Sequence, residues 1–199
     1  MIHVDVRQKR FGDRAVLADI AFALERGETL AIVGPSGIGK STLLRIVAGL
    51  DVAFEGTVSG AHRIGFVFQE PTLLPWRPLL ANLMIAHPKA GDGAAREMLA
   101  AVGLAGREAE LPRQLSLGQQ RRLSLARALL GAPELLILDE PFASLDRETH
   151  GEMLRLTERL IAEHRPATLL VTHDPGEASR LAGRVGTLAG SPARLEGMT

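Results

Sequence analysis

The stretch Gly34-Pro35-Ser36-Gly37-Ile38-Gly39-Lys40-Ser41 decides the fold. It matches G-x-x-x-x-G-K-[S/T], a pattern that carries meaning only between a strand and a helix, where glycines let backbone N–H groups converge on an anion at a helix N-terminus. Both flanks are present. Thr29 to Val33 is a short apolar run, and Lys40 to Leu50 sets Leu43, Leu44, Ile46, Val47 and Leu50 at helical spacing, with Gly49 as a terminator. The ligand such a loop suits is a phosphate chain. Lys40 would reach its terminal phosphates, the Ser41 hydroxyl would complete the coordination of Mg²⁺, a hard ion that prefers oxygen, and Thr42 would add a contact. A bare glycine turn is the alternative, but a chance match in a chain of this composition has odds on the order of one in a hundred.

Upstream of the loop, Met1 to Arg10 alternates as a strand and lacks the apolar run of a signal peptide. Ile20 to Leu24 follows, with Glu25-Arg26-Gly27-Glu28 as a turn, which predicts an N-terminal antiparallel β portion. Downstream, Ile64 to Phe68 reads as a strand, and Pro71, Pro75 and Pro78 prevent a regular element from continuing directly. From Leu79 to Leu130 the pattern is helical, broken by Pro88, Gly91, Gly93, Gly103 and Pro112. Apolar strands return at Leu135–Leu138 and Thr168–Val171, separated by a helix over Glu148–Glu163. The β-α-β alternation predicts an α/β core with right-handed crossovers, and with its glycine loop this core resembles that of the P-loop, RecA-like NTPases. The expected layout is one domain over 1–199, with an α/β core at 1–70 and 134–199 and an inserted α-helical subdomain at 71–133. About a dozen residues follow Thr187, from which no appended regulatory domain is expected.

Composition excludes several classes. Lys plus Arg and Asp plus Glu both number 23, so no global basic field exists to attract nucleic acid, which is not an expected partner. Without cysteine there are no disulfides, thiolate metal sites or thiol nucleophiles. No apolar stretch reaches the roughly 18 residues a membrane-spanning helix needs, so a membrane role must come through a partner.

Leu135 to Leu138 runs directly into Asp139-Glu140-Pro141, placing two carboxylates where a buried strand emerges. Alone these could be a solvated turn. Beside a phosphate loop the roles divide: Asp139 would hold the metal through its shell, and Glu140 would orient and deprotonate an attacking water.

The string Leu115-Ser116-Leu117-Gly118-Gln119 resembles the Leu-Ser-Gly-Gly-Gln signature of the ATP-binding-cassette ATPases, with Leu117 in place of the first glycine. Read locally, Ser116 and Gln119 form an S-x-x-Q capping box for a helix starting near Leu117, and a capped helix N-terminus is itself an anion site. The resemblance implies that Ser116, Gly118 and Gln119 face the γ-phosphate of ATP bound by a second protomer, so that two chains sandwich two ATP molecules head to tail. It extends over nearly the whole chain. Gln69 corresponds to the glutamine loop and a further metal contact, Ser144-Leu145-Asp146 to the loop that touches the partner, and His173 to the switch histidine. Read singly, Gln69 is a surface amide, Asp146 a helix cap, and His173 a turn residue before Asp174-Pro175, a natural N-cap and first helical position. The family stacks an aromatic ring on adenine, and Phe11 is the candidate here, although it could equally be core.

The resemblance implies an ATP hydrolase with Mg²⁺, docked on integral-membrane subunits at the cytoplasmic face of the inner membrane. Glu70-Pro71-Thr72-Leu73-Leu74-Pro75-Trp76 is similar to the same stretch of importers of nitrate, sulfonates and taurine, which work with an extracytoplasmic solute-binding protein. Trp76 and its leucine neighbours fit either subdomain core or an apolar surface for a short helix of a membrane partner. A soluble regulatory ATPase without transport is the alternative, and length disfavours the forms that join two cassettes or carry long coiled coils.

Overall fold

Five consecutive residues with little capacity to face water, Thr29–Val33, form strand β3 in the middle of the sheet, as expected of a strand covered on both sides. The computed structural model describes residues 1–198. Before β3 come β1 (Ile2–Phe11) and β2 (Arg14–Leu24), paired antiparallel, and after it helix α1 (Lys40–Val47). Then follow β4 (Glu55–Ser59), β5 (Ile64–Val67), α2 (Leu79–Met84), α3 (Gly91–Ala101) and α4 (Leu117–Leu130). The chain ends with β6 (Leu135–Asp139), α5 (Arg147–His164), β7 (Ala167–Thr172), α6 (Pro175–Leu181), β8 (Arg184–Gly190) and β9 (Ala193–Glu196).

The nine strands make one sheet in the order β4-β1-β2-β9-β8-β3-β7-β6-β5. Its β8-β3-β7-β6-β5 half is parallel throughout, and β1 pairs antiparallel with both β2 and β4. Four chain segments therefore leave the same edge of the sheet, because β3, β7, β6 and β5 all end there: Val33 lies beside Thr172, Val171 beside Asp139, and Leu138 beside Val67. Ligands of open α/β sheets sit outside these carboxyl ends.

The alternating side chains of β6 and β7 feed two cores. Leu136, Leu138 and Leu170 pack with α2, α3, α4 and α5, whereas Ile137, Leu169 and Val171 pack with α1, β1 and β2. Between β5 and β6 the described chain makes only helical segments, and Leu79, Leu83, Leu99 and Leu123 of that region share the first core with the sheet.

Some boundaries differ from the periodic pattern. Helix α1 stops at Val47 rather than Leu50, because Gly49 turns left-handed at φ +70° and the Gly49 N–H bonds back to Ile46 O at 2.9 Å, which leaves Leu50 exposed. Strand β5 ends one residue earlier than expected, at Val67, and α5 runs one residue further at each end, from its Asp146 cap to His164.

Candidate functional site

The loop from Gly34 to Gly39 links β3 to α1, and its backbone is one that side chains obstruct. At Gly39, φ is +117° and an added Cβ would lie 2.7 Å from Leu17 Cδ2. At Gly37 the space is open but φ is +76°, so glycine is favoured there by conformation alone. With the glycines bent this way the first N–H groups of α1 are left for an outside acceptor, and no side chain caps them.

Lys40 is 5% exposed and donates to Gly34 O at 2.8 Å and Pro35 O at 3.0 Å. An ammonium has three hydrogens, so two are anchored and the third points elsewhere. The nitrogen itself lies 3.5 Å from Glu140 Oε1, an ion pair without a hydrogen bond. The other carboxylate oxygen, Oε2, lies 3.4 Å from His173 Nδ1, so Glu140 stands between the loop lysine and the histidine that follows β7. Glu140 holds the left-handed region, φ +45°, while its N–H donates to Val171 O at 2.9 Å. A non-glycine residue is uncommon there, so the surrounding structure holds this turn in place.

Asp139, at the last position of β6, is 7% exposed and accepts from Ser41 Oγ at 3.3 Å. Burial is the largest influence on its carboxyl and pushes its pKa above the ordinary value, against the lowering effect of the Ser41 hydrogen bond. An all-oxygen pair, one a buried carboxylate with a single hydroxyl partner, is the donor chemistry a hard divalent cation takes. Ser41 and Asp139 therefore fit Mg²⁺.

Phe11, Arg14, Val16, Ser36, Gly37, Gly39, Lys40, Ser41, Thr42, Gln69 and Glu140 line one open concavity of about 460 Å³. Phe11 is 56% exposed, so the core alternative fails for it, and the Lys9 ammonium lies 4.5 Å from its ring centroid. Arg14 and Val16 belong to this lining too and carry no motif of their own. The fold thus brings together the loop, Asp139, Glu140, Gln69, His173 and Phe11.

It does not bring Ser116, Gly118, Gln119 and Asp146 into that lining. Ser116 caps α4: its Oγ accepts from Gln119 N–H at 3.3 Å and its own N–H donates to Gln119 Oε1 at 3.1 Å. Gly118 is buried, and an added Cβ would come within 2.4 Å of Thr149 Cγ2, so this glycine lets α4 settle on α5. Asp146 Oδ1 caps α5, accepting from the N–H groups of Glu148 at 3.1 Å and Thr149 at 3.0 Å. Those hydrogen bonds, led by Thr149, hold its carboxyl below the ordinary range.

Beyond Gln69, Ser124 Oγ donates to Pro71 O at 2.7 Å and the Arg127 guanidinium to Thr72 O at 3.0 Å. Trp76 is 70% exposed, which removes the core alternative for that side chain. Its loop is held by Asn82, fully buried, which accepts from Leu74 N–H at 2.8 Å and donates to the carbonyls of Leu74, Arg77 and Pro78.

Sequence reasoning missed two supports of the site. Arg121 of α4 donates to the carbonyls of Glu140, Pro141 and Ala143; the available signal was an arginine on the helix stripe shared by Leu125, Ala128 and Leu129. Glu177 of α6, 7% exposed, accepts from the Thr172 hydroxyl and lies 2.7 Å from His150 Nε2, bracing the turn that bears His173. No local pattern announces that pairing.

Comparison with known proteins gives concordant results. A family model described as ABC transporter matches residues 17–143. The aliphatic sulfonates import ATP-binding protein SsuB 2 of Burkholderia cenocepacia is 43% identical, over 98% of this chain and 76% of its own length. SsuB of Burkholderia pseudomallei is 49% identical over 89% of this chain and 56% of its length. Among solved structures, the dimeric post-hydrolysis state of the ATP-binding cassette MJ0796, bound to ADP and Pi, superposes with a TM-score of 0.84 at 30% identity, over 100% of this chain and 98% of that one.

Proposed function

The chain belongs to the ABC transporter family of ATPases, and from that premise we propose that it powers an importer of small organic anions of the aliphatic sulfonate kind. It is an ATP-binding hydrolase of the ABC type. Relatives named as sulfonate import ATP-binding proteins over most of the chain support the substrate class and disfavour a regulatory ATPase without transport. No helix among the described residues is long and apolar enough to cross a membrane, so separate integral-membrane subunits would carry the solute. On this reading the chain sits at the cytoplasmic face of the inner membrane, and a solute-binding protein on the other side delivers the cargo.

One observation carries the mechanism: Glu140 lies within 3.5 Å of both Lys40 and His173 at the carboxyl ends of adjacent strands. The phosphates of ATP would lie along the loop from Gly34 to Gly39, held by backbone N–H groups and the third hydrogen of Lys40. Thr42 adds a hydroxyl in the same lining. Phe11 offers an exposed ring face for adenine. Ser41 and Asp139, with Gln69 of the same lining, would hold Mg²⁺, which supplies charge neutralisation for the phosphates when bound.

Glu140 then orients a water towards the terminal phosphate and accepts its proton as the bond from that phosphorus to the ADP oxygen breaks, and His173, with Nδ1 3.4 Å from Glu140 Oε2, steadies the carboxylate and the released phosphate. Ser116, Gly118, Gln119 and Asp146 stand outside this lining and fit the nucleotide of a second chain. Dimeric cassettes among the structural neighbours support that assembly. Residues 71–133 are assigned as the subdomain that meets the membrane subunits, with Leu74 and Trp76 at the contact.

Glu140→Gln tests the chemistry. Phosphate release by the purified chain should fall by about 10² to 10⁴-fold, the usual worth of general-base assistance, while ATP affinity stays near that of the parent. Unchanged turnover would place the base elsewhere.

A further inference from the structure

Three cationic side chains are buried among the described residues, and one lacks an acid. Lys9 faces Asp51 at 2.7 Å and Lys40 faces Glu140 at 3.5 Å, but Arg121, 5% exposed, has no carboxylate partner. Its contacts are three main-chain carbonyls of a single turn: Nη1 donates to Glu140 O at 3.3 Å and Pro141 O at 2.6 Å, and Nη2 donates to Ala143 O at 2.5 Å. Its Nε has no partner at all.

Burying an unpaired guanidinium is costly, and an apolar side chain would continue the stripe of Leu125, Ala128 and Leu129 without that cost. What arginine alone provides is a rigid planar fork of donors, able to fix several acceptors relative to one another. The acceptors here belong to the turn that starts at Glu140, whose φ of +45° is one that side-chain-bearing residues avoid. The turn's own bonds are few: Glu140 N–H to Val171 O at 2.9 Å and Ala143 N–H to Glu140 O at 3.2 Å.

We propose that Arg121 is a positioning residue for hydrolysis, a clamp from α4 that holds the backbone of Glu140–Ala143 so that the Glu140 carboxylate faces the phosphate loop. The proposal rests on the reading of Glu140 as the base. Nucleotide binding does not depend on the clamp for its hydrogen bonds, because Lys40 is anchored by the Gly34 and Pro35 carbonyls, which Arg121 does not touch, and meets Glu140 only as an ion pair at 3.5 Å. Loss of the clamp therefore lowers turnover rather than affinity.

The test is a double-mutant cycle on the full chain. Arg121→Met keeps a long apolar stem and removes the fork; Arg121→Lys keeps the charge on a single point donor. Each is made in the wild-type and Glu140→Gln backgrounds, with ATP affinity from calorimetry and turnover from phosphate release in the presence of Mg²⁺. Arg121→Met is expected to leave affinity within about threefold and to lower turnover by roughly 10 to 100-fold, the scale on which small misplacements of a reacting group act. Arg121→Lys is expected to lose less. In the Glu140→Gln background, where no base remains to be misplaced, Arg121→Met should lower the residual rate by less than about twofold.

Equal losses in both backgrounds, or wild-type turnover in Arg121→Met, would overturn the proposal. If Arg121→Met fails to melt cooperatively, Arg121→Lys enters the same cycle under the same criteria. A Glu140→Gln parent that hydrolyses ATP at the wild-type rate signals a different failure, that of the base assignment.

Discussion

Replacing Lys40 by Met removes the ammonium from the phosphate site, and with it the ion pair to Glu140. The methionine keeps most of the buried stem of a residue that is 5% exposed, so little cavity cost mixes into the result. Of the three ammonium hydrogens, two are spent on Gly34 O and Pro35 O at 2.8 and 3.0 Å, which leaves one for the nucleotide. A single charge-assisted hydrogen bond contributes about 1.5–3 kcal/mol, and the direct attraction of the cation for the remaining phosphate charge brings the expected loss to about 3 kcal/mol. That corresponds to a roughly 150-fold weaker dissociation constant. Calorimetric titration with ATP and Mg²⁺ at about 0.1 M salt measures it, since that ionic strength screens contributions from distant charges. The two orphaned carbonyls will also soften the loop, so the melting transition is followed alongside. Affinity within about threefold of wild type, in a protein that melts normally, would refute the role given to Lys40.

The Glu140→Gln protein should form a dimer with ATP and return to monomer without it, and adding Ser116→Arg should abolish that dimer; a nucleotide-independent monomer in sedimentation at high concentration would remove the sandwich. Leu74→Asp and Trp76→Ser should impair co-purification with the membrane subunits more than basal ATPase. Trp76→Ser, at an exposed position, should shift stability by no more than about 0.5 kcal/mol, so full retention of the complex by both folded variants would displace docking from this loop. Asp139→Asn should raise the melting temperature of the nucleotide-free chain near neutral pH while abolishing Mg²⁺-dependent hydrolysis. The sign follows from burial, which lifts the folded carboxyl above its ordinary value: the proton-linked stability is fully present below the unfolded pKa and is lost as pH rises through the folded one. The gain should therefore shrink as the medium is acidified, and a gain that grows in acid would contradict it.

Strands β3, β6 and β7 were legible because buried parallel strands read as unbroken apolar runs, and α4 because Ser116 and Gln119 advertise its cap. Strands β4, β8 and β9 were not. β4 is an edge whose residues alternate exposed and half-buried around Gly56, and β8 carries two glycines, one of them Gly186, where a Cβ would strike Leu195. Their place comes from register with distant strands, which no local window contains.

The site divides along the same line. Contiguous motifs exposed the loop, Asp139 and Glu140, since neighbours in sequence there are neighbours in space. Arg121 with Glu140 and His150 with Glu177 are joined across 19 and 27 positions, and only the fold brings them within reach. The sequence also left open whether Phe11 and Trp76 were core, since an aromatic ring has the same letter inside and out; exposure of 56% and 70% separates them from it.

Asn82 has a bearing on mechanics. Because one buried amide gathers both backbone groups of Leu74 and the carbonyls of Arg77 and Pro78, the segment bearing Trp76 has little conformational freedom left to surrender when another molecule seats on it. The ordering cost of such an encounter falls mainly on the tryptophan's own rotamers. The same four bonds have a second consequence, because all of them start from one side chain of α2. They tie the backbone of Leu74, Arg77 and Pro78 to α2, the helix that carries Asn82, so a partner seated on Trp76 is held through that backbone to α2.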